Sequence, residues 1–248
     1  MSLTRALLAA AIIGAGISTG TANAGLEIEA YSQNFNGLNG SQRYVDADSK
    51  LGPEWSFNST NEGRSRIYDW GGTRGGVLVL DDSRGNSIYS LNEAIVTVNL
   101  LSLTDVKLSF KHYDSYDEEN PIGTQMFTGS KNADGVSISS NGINWFPIVN
   151  FDQWNGTWKT YDVNLTDFAN SVGSSLLNLS GNLQIKFQQY DNYPHGSDGR
   201  KFDKIVVTGK LPNLTVPEPA TASLFVMAIG GLAGSQTLKR RRRLAQQS

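Results

Sequence analysis

The stretch Val106-Lys-Leu-Ser-Phe-Lys-His-Tyr113 decides the fold class, because its side chains alternate in character. One row is mainly apolar: Val106, Leu108, Phe110 and His112. The other row is polar: Lys107, Ser109, Lys111 and Tyr113. Successive side chains of a β-strand point to opposite faces of a sheet, so this period of two predicts a strand with one buried face. His112 falls in the buried row, where we expect a hydrogen-bonded residue of the core or its rim.

Comparable segments recur along the chain. Further strands are predicted from Ile95 and Val96 onward, and at 135–139, 145–148, 158–165, 183–190 and 202–208. Asn141-Gly142 separates two of these segments, and this dipeptide is a strong hairpin signal. One short helix is predicted over 166–172, with Thr166 as its cap and Asp167 in its first turn. The spacing of strands and turns favours an all-β fold, an antiparallel two-sheet β-sandwich of the jelly-roll kind.

The C-terminus is a segment in three parts. Pro217-Glu218-Pro219 stands before an uncharged, largely apolar run at 220–238, which is followed at once by Lys239, Arg240, Arg241, Arg242 and Arg243. The run is close to the length of about 20 residues that a transmembrane helix needs. Five consecutive cations stay on the cytoplasmic side of a membrane. This order of parts resembles the PEP-CTERM sorting signal, which is read by an exosortase, a membrane transpeptidase of Gram-negative-type bacteria.

The resemblance assigns the sorting signal to residues 217–243 and implies processing by the exosortase. Cleavage near Pro217–Pro219 removes the helix, ends a transient anchorage in the inner membrane, and transfers the body to the cell surface or the extracellular matrix. Residues 211–216 are then a short tether, and residues 244–248 are the cytoplasmic end of the tail. The alternative is an ordinary tail anchor with a chance Pro-Glu-Pro.

The N-terminus predicts export. Arg5 gives a positive start, residues 6–17 are apolar, and Thr21-Ala-Asn-Ala24 has the small-x-small pattern of a cleavage site. Residues 1–24 are therefore a predicted signal peptide, with an uncleaved anchor as the alternative. Residues 25–210 are the predicted sandwich domain.

The composition of the exported body limits its functions. The whole chain has 21 Lys+Arg and 23 Asp+Glu. Without Arg5, the five tail cations and Glu218, 15 basic and 22 acidic residues remain, a net charge of −7. Such a body does not suggest nucleic-acid binding, and it leaves carboxylates free for Ca²⁺. With no cysteine and two histidines, disulfides and thiolate catalysis are excluded, and a His-rich metal site is disfavoured.

Six segments of the body match one known pattern: Phe35-Asn-Gly-Leu38, Glu54-Trp55-Ser56, Gly75-Gly-Val-Leu-Val-Leu-Asp81, Leu108-Ser-Phe110, residues 134–145 and residues 202–207. Together they resemble the jelly-roll domains of the MAM and laminin-G/concanavalin-A-like group. The resemblance implies that the segment ending in Asp81 is an exposed strand. It also implies adhesion, or glycan or protein binding, more often than catalysis. The chain lacks the disulfides of MAM domains, so the broader bacterial sandwich group is the better match.

An acidic loop follows the alternating strand and predicts a Ca²⁺ site. The predicted ligands there are Asp114, Asp117 and Glu118, and Asp203 in the final strand segment is the fourth. Ca²⁺ takes carboxylate and carbonyl oxygens. The loop lacks the spacing and glycine of an EF-hand. A solvated acidic loop without metal is the alternative.

Aromatic residues in polar loops predict a sugar-binding surface. Trp154, Tyr116 and Tyr193 lie beside carboxylates and amides, and aromatic faces stack on the C–H faces of sugar rings. For Trp154 a place in the core is an equal alternative. Trp55, Trp145 and Trp158 are expected in the core.

The sequence therefore predicts an exported, non-catalytic surface or matrix protein that binds an extracellular polysaccharide or a surface protein. The alternative is a secreted polysaccharide-active enzyme, a glycoside hydrolase or lyase. Glycoside hydrolysis needs two carboxylates across one cleft. Glu93, Glu118 and Glu119 are available for it, but their spacing singles out no pair.

Overall fold

A computed structural model describes residues 25–71, 75–82, 88–100, 103–115, 117–153, 156–191 and 199–212. Over these ranges the chain forms β1 (Glu27–Gln33), β2 (Tyr44–Asp46), β3 (Trp55–Ser59), β4 (Gly63–Asp69), β5 (Gly76–Asp82), β6 (Ser90–Asn99), β7 (Thr104–Asp114), β8 (Phe127–Thr128), β9 (Gly135–Ser139), β10 (Asn144–Asn150), β11 (Lys159–Asn164), α1 (Leu165–Val172), β12 (Asn182–Asp191) and β13 (Gly199–Lys210).

The strands form two antiparallel sheets packed as a sandwich, so the predicted fold class is confirmed. Sheet 1 has the order β11-β7-β13-β5-β4-β2, and β1 pairs with the second half of β13. Sheet 2 has the order β3-β6-β12-β9-β10-β8. Neighbouring strands are often far apart in sequence, which means that distant segments build each face.

The core between the sheets contains the buried row of β7. Val106, Leu108 and Phe110 are fully buried there, and the ring of Phe110 lies against Phe187 of β12 and Phe202 of β13. Each fully buried side chain of this size stabilises the fold by about 1.5–3 kcal/mol. The period of two in the sequence therefore predicts correctly which face of this strand is buried.

The helix forms where the sequence predicts it, but its cap is different. α1 begins at Leu165, and the side chain of Asn164 accepts a hydrogen bond from the backbone N–H of Asp167. Thr166 lies inside the helix, and its hydroxyl accepts a bond from the N–H of Val106. The prediction of Thr166 as cap was wrong because Asn164, at the end of β11, already takes the position.

The outer faces of the two sheets differ. The segment between β7 and β9 covers the outside of sheet 2, where Trp145 is 2% exposed and Lys186 donates a hydrogen bond to the carbonyl of Gly129. In sheet 1, β5 is buried along its whole length between β13 and β4, so the expectation of an exposed strand ending in Asp81 was wrong. Aromatic and basic side chains of neighbouring strands cover its outward residues.

No helix within the described ranges has the length and apolar character needed to cross a membrane. The predicted transmembrane helix at 220–238 and the predicted signal peptide at 1–24 lie outside those ranges.

Candidate functional site

Five aromatic side chains lie together on the outer side of sheet 1, and we call them the aromatic face: Tyr44, Tyr68, Trp70, Tyr113 and Trp158. Tyr44 and Tyr68 are stacked with their centroids 4.7 Å apart, and Tyr68 meets Trp70 edge-on at 5.8 Å. Trp70 in turn meets Tyr113 at 5.1 Å and Trp158 at 5.7 Å. Tyr44 is 38% exposed, and the other four are half-buried. The rings therefore form one continuous surface that solvent reaches.

The strand register brings charged residues into this surface. Lys201 on β13 pairs with Tyr113 on β7 and, on its other side, with Val79 on β5. Val79 pairs with Arg66 on β4, and Arg66 pairs with Asp46 on β2. Paired residues in neighbouring strands share a face. Since Tyr113 points outward, Lys201 and Arg66 point outward with it, directly beside the aromatic rings.

Two arginines of the face hold a buried carboxylate. Arg64 Nε lies 3.1 Å from Asp81 Oδ1, and Arg66 forms a second ion pair with the same carboxylate, which is 2% exposed. Burial raises the pKa of Asp81, and the charges of Arg66 and Arg64 oppose this shift. The Arg66 guanidinium also lies 4.0 Å from the centroid of Tyr44. Arg66 is therefore held in place both by its ion pair and by a ring.

Lys201 stands at the centre of the aromatic face. It is 7% exposed, and its Nζ lies 5.4 Å from the Trp70 ring centroid and 5.3 Å from that of Tyr113. Burial lowers the pKa of Lys201 to about 8, although nearby Asp81 and Asp114 partly oppose the shift. Lys201 lines a cavity of about 210 Å³ whose other lining residues are Tyr44, Tyr68, Trp70, Val79, Asp81 and Ser115.

A glycine fixes the start of the strand that carries Lys201. Gly199 has a φ of +138°, and a Cβ there would stand 2.3 Å from the carbonyl oxygen of Leu80. Only glycine tolerates both constraints. This close approach sets β13 beside β5, and it places Arg200 inward and Lys201 outward.

The sequence analysis located the aromatic surface only in part. Trp154, Tyr116 and Tyr193 lie outside the described residues. Trp158, expected in the core, is half-buried in the aromatic face, while Trp55 and Trp145 are buried as expected. The one available signal for this surface was Tyr113 in the polar row of the alternating strand.

Two of the predicted metal ligands, Asp114 and Asp117, contact a buried arginine. Arg200 is fully buried, and its guanidinium nitrogens lie 2.9 Å from Asp114, 2.8 Å from Asp117 and 3.2 Å from Asp134. One cation thus faces three carboxylates. Burial raises the pKa of Asp134 to about 6, with Arg200 opposing the shift, and burial together with the charge of Asp134 raises the pKa of Asp117 well above its usual range.

Asp117 and Glu118 are brought together with a third carboxylate that the sequence analysis did not select. Oxygens of Asp117, Glu118 and Asp191 lie within 4.8 Å of one another, a spacing that suits one cation. Asp203 is on the opposite side of sheet 1, since it pairs with the outward Lys111. Its carboxylate accepts a hydrogen bond from the N–H of Lys204. The predicted ligand set is therefore divided between two faces.

Glu93, a candidate for glycoside hydrolysis, and His112 are both buried among structural contacts. Glu93 is 2% exposed, forms a 2.7 Å ion pair with Lys186, and accepts hydrogen bonds from Asn58 and Ser130. His112 is 4% exposed and stacks on Phe151 at 3.9 Å, and burial holds its pKa well below the usual value. His112 lies in the core, as predicted, but the hydrogen bond that was expected of it is not made by its Nε2, which has no partner among the described residues.

Solved structures with similar folds include binding, adhesion and hydrolase domains. The family 11 carbohydrate-binding module from Clostridium thermocellum, in complex with a β-1,3-1,4-mixed-linked tetrasaccharide, is 16% identical with a TM-score of 0.38, covering 69% of this chain and 97% of that one. The K3 cleaved adhesin domain of Lys-gingipain from Porphyromonas gingivalis w83 is 13% identical with a TM-score of 0.42, covering 73% and 100%. The Endo-D glycoside hydrolase domain from Streptococcus pneumoniae R6 is 13% identical with a TM-score of 0.39, covering 74% and 28%. These are likenesses in fold, and no ligand or activity follows from them for this chain.

The sequence comparisons concern the C-terminus. No curated protein sequence matches the chain. The family model of the PEP-CTERM protein-sorting motif matches residues 215–243. This range contains Pro217-Glu218-Pro219, the apolar run and the Arg-rich end. The chain therefore carries a PEP-CTERM protein-sorting motif, which implies export and sorting to the cell surface.

Proposed function

We propose that this protein is a non-catalytic glycan-binding component of the cell surface or extracellular matrix, and that the aromatic face is its binding surface. The observation that carries the proposal is the continuous contact of five rings on the outer side of sheet 1. Large aromatic side chains usually fill a core. Their collection on a solvent-reached surface, in contact with a cavity, is typical of a ligand site.

The chemistry of the face suits a sugar. The rings offer apolar surface to the C–H faces of pyranoses, and polar groups at the edges bond to hydroxyls. Arg43 Nη2 donates a 3.3 Å hydrogen bond to the hydroxyl of Tyr68, so a guanidinium with further N–H donors lies at this edge of the aromatic face. The cavity of about 210 Å³ is smaller than the usual range of about 300–1,000 Å³ for small-molecule sites. It therefore fits part of one sugar residue, while a longer chain lies across the rings.

The position of the face agrees with a protein held at its C-terminus. Lys201 stands near the start of β13, and the strand ends at Lys210, immediately before the predicted tether. Nine residues of strand span about 30 Å. β13 therefore ends far from Lys201, and the sorting motif follows this end of the strand in the sequence. We propose that an exosortase processes the motif and that the face then projects away from the attachment point.

The test is binding of the purified domain, residues 25–212, to a panel of soluble polysaccharides by affinity electrophoresis. Trp70→Ala removes the ring that contacts three others, and we expect at least about tenfold weaker binding, about 1.4 kcal/mol. Tyr89→Ala is the control, because Tyr89 is 52% exposed and stacks on Tyr190, outside the aromatic face. Equal binding by both variants and the wild type, with melting temperatures unchanged, contradicts the proposal.

The same incubations test the enzymatic alternative. New reducing ends, or unsaturated products from a uronate polymer, would make the protein a glycoside hydrolase or lyase. A protein partner is the other alternative, and it is favoured if no polysaccharide in the panel binds.

We also propose that a structural Ca²⁺ stabilises the loop after β7. Asp117, Glu118 and Asp191 supply oxygen ligands of the kind that Ca²⁺ prefers. The surrounding cluster has more carboxylates than cations, and a divalent ion compensates this excess of negative charge. Asp117 and Glu118 belong to the set predicted from sequence, and Asp191 joins them in place of Asp114 and of Asp203, which is on the other face of sheet 1.

A further inference from the structure

We propose that the aromatic face selects acidic polysaccharides, and that the Lys201 ammonium in its cavity binds the anionic group of one sugar residue. This inference rests on the proposed glycan-binding function and specifies its ligand class. The anionic group is a carboxylate or a sulfate, which share the negative charge and the acceptor oxygens.

The first argument is that Lys201 has unused hydrogen-bond donors. The residue is 93% buried, and its ammonium has no hydrogen bond or ion pair with any side chain or carbonyl in the described part of the chain. A protonated lysine offers three donors. Burying a charged ammonium without hydrogen-bond acceptors is unfavourable unless a ligand or water supplies them. The cavity that Lys201 lines is the place from which such a ligand reaches the ammonium.

The second argument is the charge balance around the cavity. Asp81 is the acidic residue that lines it with Lys201, and Arg64 and Arg66 already hold both oxygens of this carboxylate. On this side of the sheet the three cations Lys201, Arg64 and Arg66 face two carboxylates, Asp81 and the neighbouring Asp46, although the exported body as a whole has a net charge of −7. A local excess of positive charge on an acidic protein favours an anion at this site over other positions on the surface.

The third argument is geometric. The Nζ of Lys201 lies beside the Trp70–Tyr113 pair, at 5.4 and 5.3 Å from the two ring centroids. When a sugar stacks on one of these aromatic rings, a substituent at the edge of the sugar lies within reach of the ammonium. Ser115 at the same cavity adds a hydroxyl. Stacking and ion pairing therefore act on the same sugar residue.

The lowered pKa of Lys201 gives the site a specific pH dependence. The ionisable groups around it are Tyr44 on β2, Arg66 and Tyr68 on β4, Asp81 on β5, and Tyr113 and Asp114 on β7, with Asp117 behind them. Burial lowers the pKa of Lys201 to about 8, so its ammonium loses its charge as the pH rises through this value. Binding of an anion requires the protonated ammonium. Affinity for an acidic glycan should therefore fall as the pH rises from 7 to 9.5.

The experiment compares one polymer in two charge states. Binding of the domain, residues 25–212, to polygalacturonate and to the fully methyl-esterified polymer is measured at pH 7 and at fixed ionic strength. A sulfated dextran and an unsulfated dextran form the second pair, which separates sulfate from carboxylate. We expect the charged member of at least one pair to bind at least about tenfold more tightly, a difference of about 1.4 kcal/mol.

Two variants test whether Lys201 causes the charge preference. Lys201→Met keeps the length of the side chain over the rings and removes the charge, and it should abolish both the charge preference and the loss of affinity at high pH. Lys107→Met removes the same charge from an exposed position on the same side of β7 and should change neither. Melting curves confirm that each variant is folded.

The outcomes distinguish a failure of this inference from a failure of the proposed glycan-binding function. Equal binding of charged and neutral polymers, with Trp70→Ala weakening both, refutes the selection of acidic sugars and leaves glycan binding intact. A charge preference that Lys107→Met reduces as much as Lys201→Met also refutes it, because the effect is then general electrostatics. If no polymer binds, the proposed function fails and this inference fails with it.

Discussion

Replacement of Arg200 by methionine tests how the sandwich end is held together. Arg200 is fully buried and forms ion pairs with Asp114, Asp117 and Asp134, at 2.9, 2.8 and 3.2 Å. It also donates a 3.0 Å hydrogen bond to the carbonyl of Glu118. Methionine fills much of the same volume, so the main effect of the change is the loss of the guanidinium and its bonds.

The expected loss of stability follows from burial. Removal of one partner from a buried ion pair destabilises a protein by about 3–5 kcal/mol. In a domain of this size, 1 kcal/mol corresponds to about 2–4 °C in melting temperature. We therefore expect Arg200→Met to lower the melting temperature by about 6–20 °C at pH 7.5. This is a large part of a typical stability of about 5–15 kcal/mol.

The pH dependence of the loss gives a second readout. The pKa of Asp134 is about 6 in the folded protein with Arg200 present, above its unfolded value of about 3.9. A group with a raised folded pKa contributes stability at low pH and loses it as the pH rises through the folded value. Without Arg200 the pKa values of all three carboxylates rise further. The deficit of Arg200→Met should thus be smaller at pH 5 than at pH 7.5.

The assay is thermal unfolding of both proteins by circular dichroism at pH 5 and pH 7.5. Lys210→Met is the control, because its ion pair with Asp105 is at the surface and such pairs contribute little. A loss of less than about 1 kcal/mol at pH 7.5, comparable to surface substitutions, would refute the claim that this cluster holds the loop after β7 to the sheet. A deficit that is equal at both pH values would show that the carboxylates do not titrate as described.

Two further predictions concern neighbouring features. Excess chelator should lower the melting temperature of the wild type but not that of Asp191→Asn, because Asp191 supplies one of the three proposed Ca²⁺ ligands; an unchanged wild-type melting temperature contradicts the metal proposal. Asn164→Ala should lower the free energy of unfolding by about 1 kcal/mol, since the helix loses its cap; a neutral result in chemical denaturation would mean that solvent caps the helix equally well.

The fold class could be predicted from sequence because side-chain alternation is a local property. The row from Val106 to His112 that the sequence predicts to be buried is the buried row of β7 in the structure. The helix was also predicted, but its cap was not. Asn164 and Thr166 are both good capping residues, and the choice between them depends on β11, which ends at Asn164, and on the bond that Thr166 makes to Val106.

The candidate site could not be predicted in the same way. Tyr44, Tyr68, Trp70, Tyr113 and Trp158 come from four separate segments, and only the strand order β11-β7-β13-β5-β4-β2 places them side by side. Lys201 could not be identified from the sequence either, since a lysine next to Phe202 in a strand is expected to be an ordinary surface residue. Its burial depends on rings contributed by β7 and by the end of β4.

The sequence by itself determined the destination of this protein and the kind of fold it adopts. The sorting motif is contiguous, so its residues can be recognised without any tertiary structure. Tertiary structure alone decided which residues meet: it placed Arg200 among three carboxylates on one side of β13 and Lys201 among aromatic rings on the other. The physical reason is that alternation assigns a side chain to a face, whereas the long-range pairing of strands assigns its neighbours.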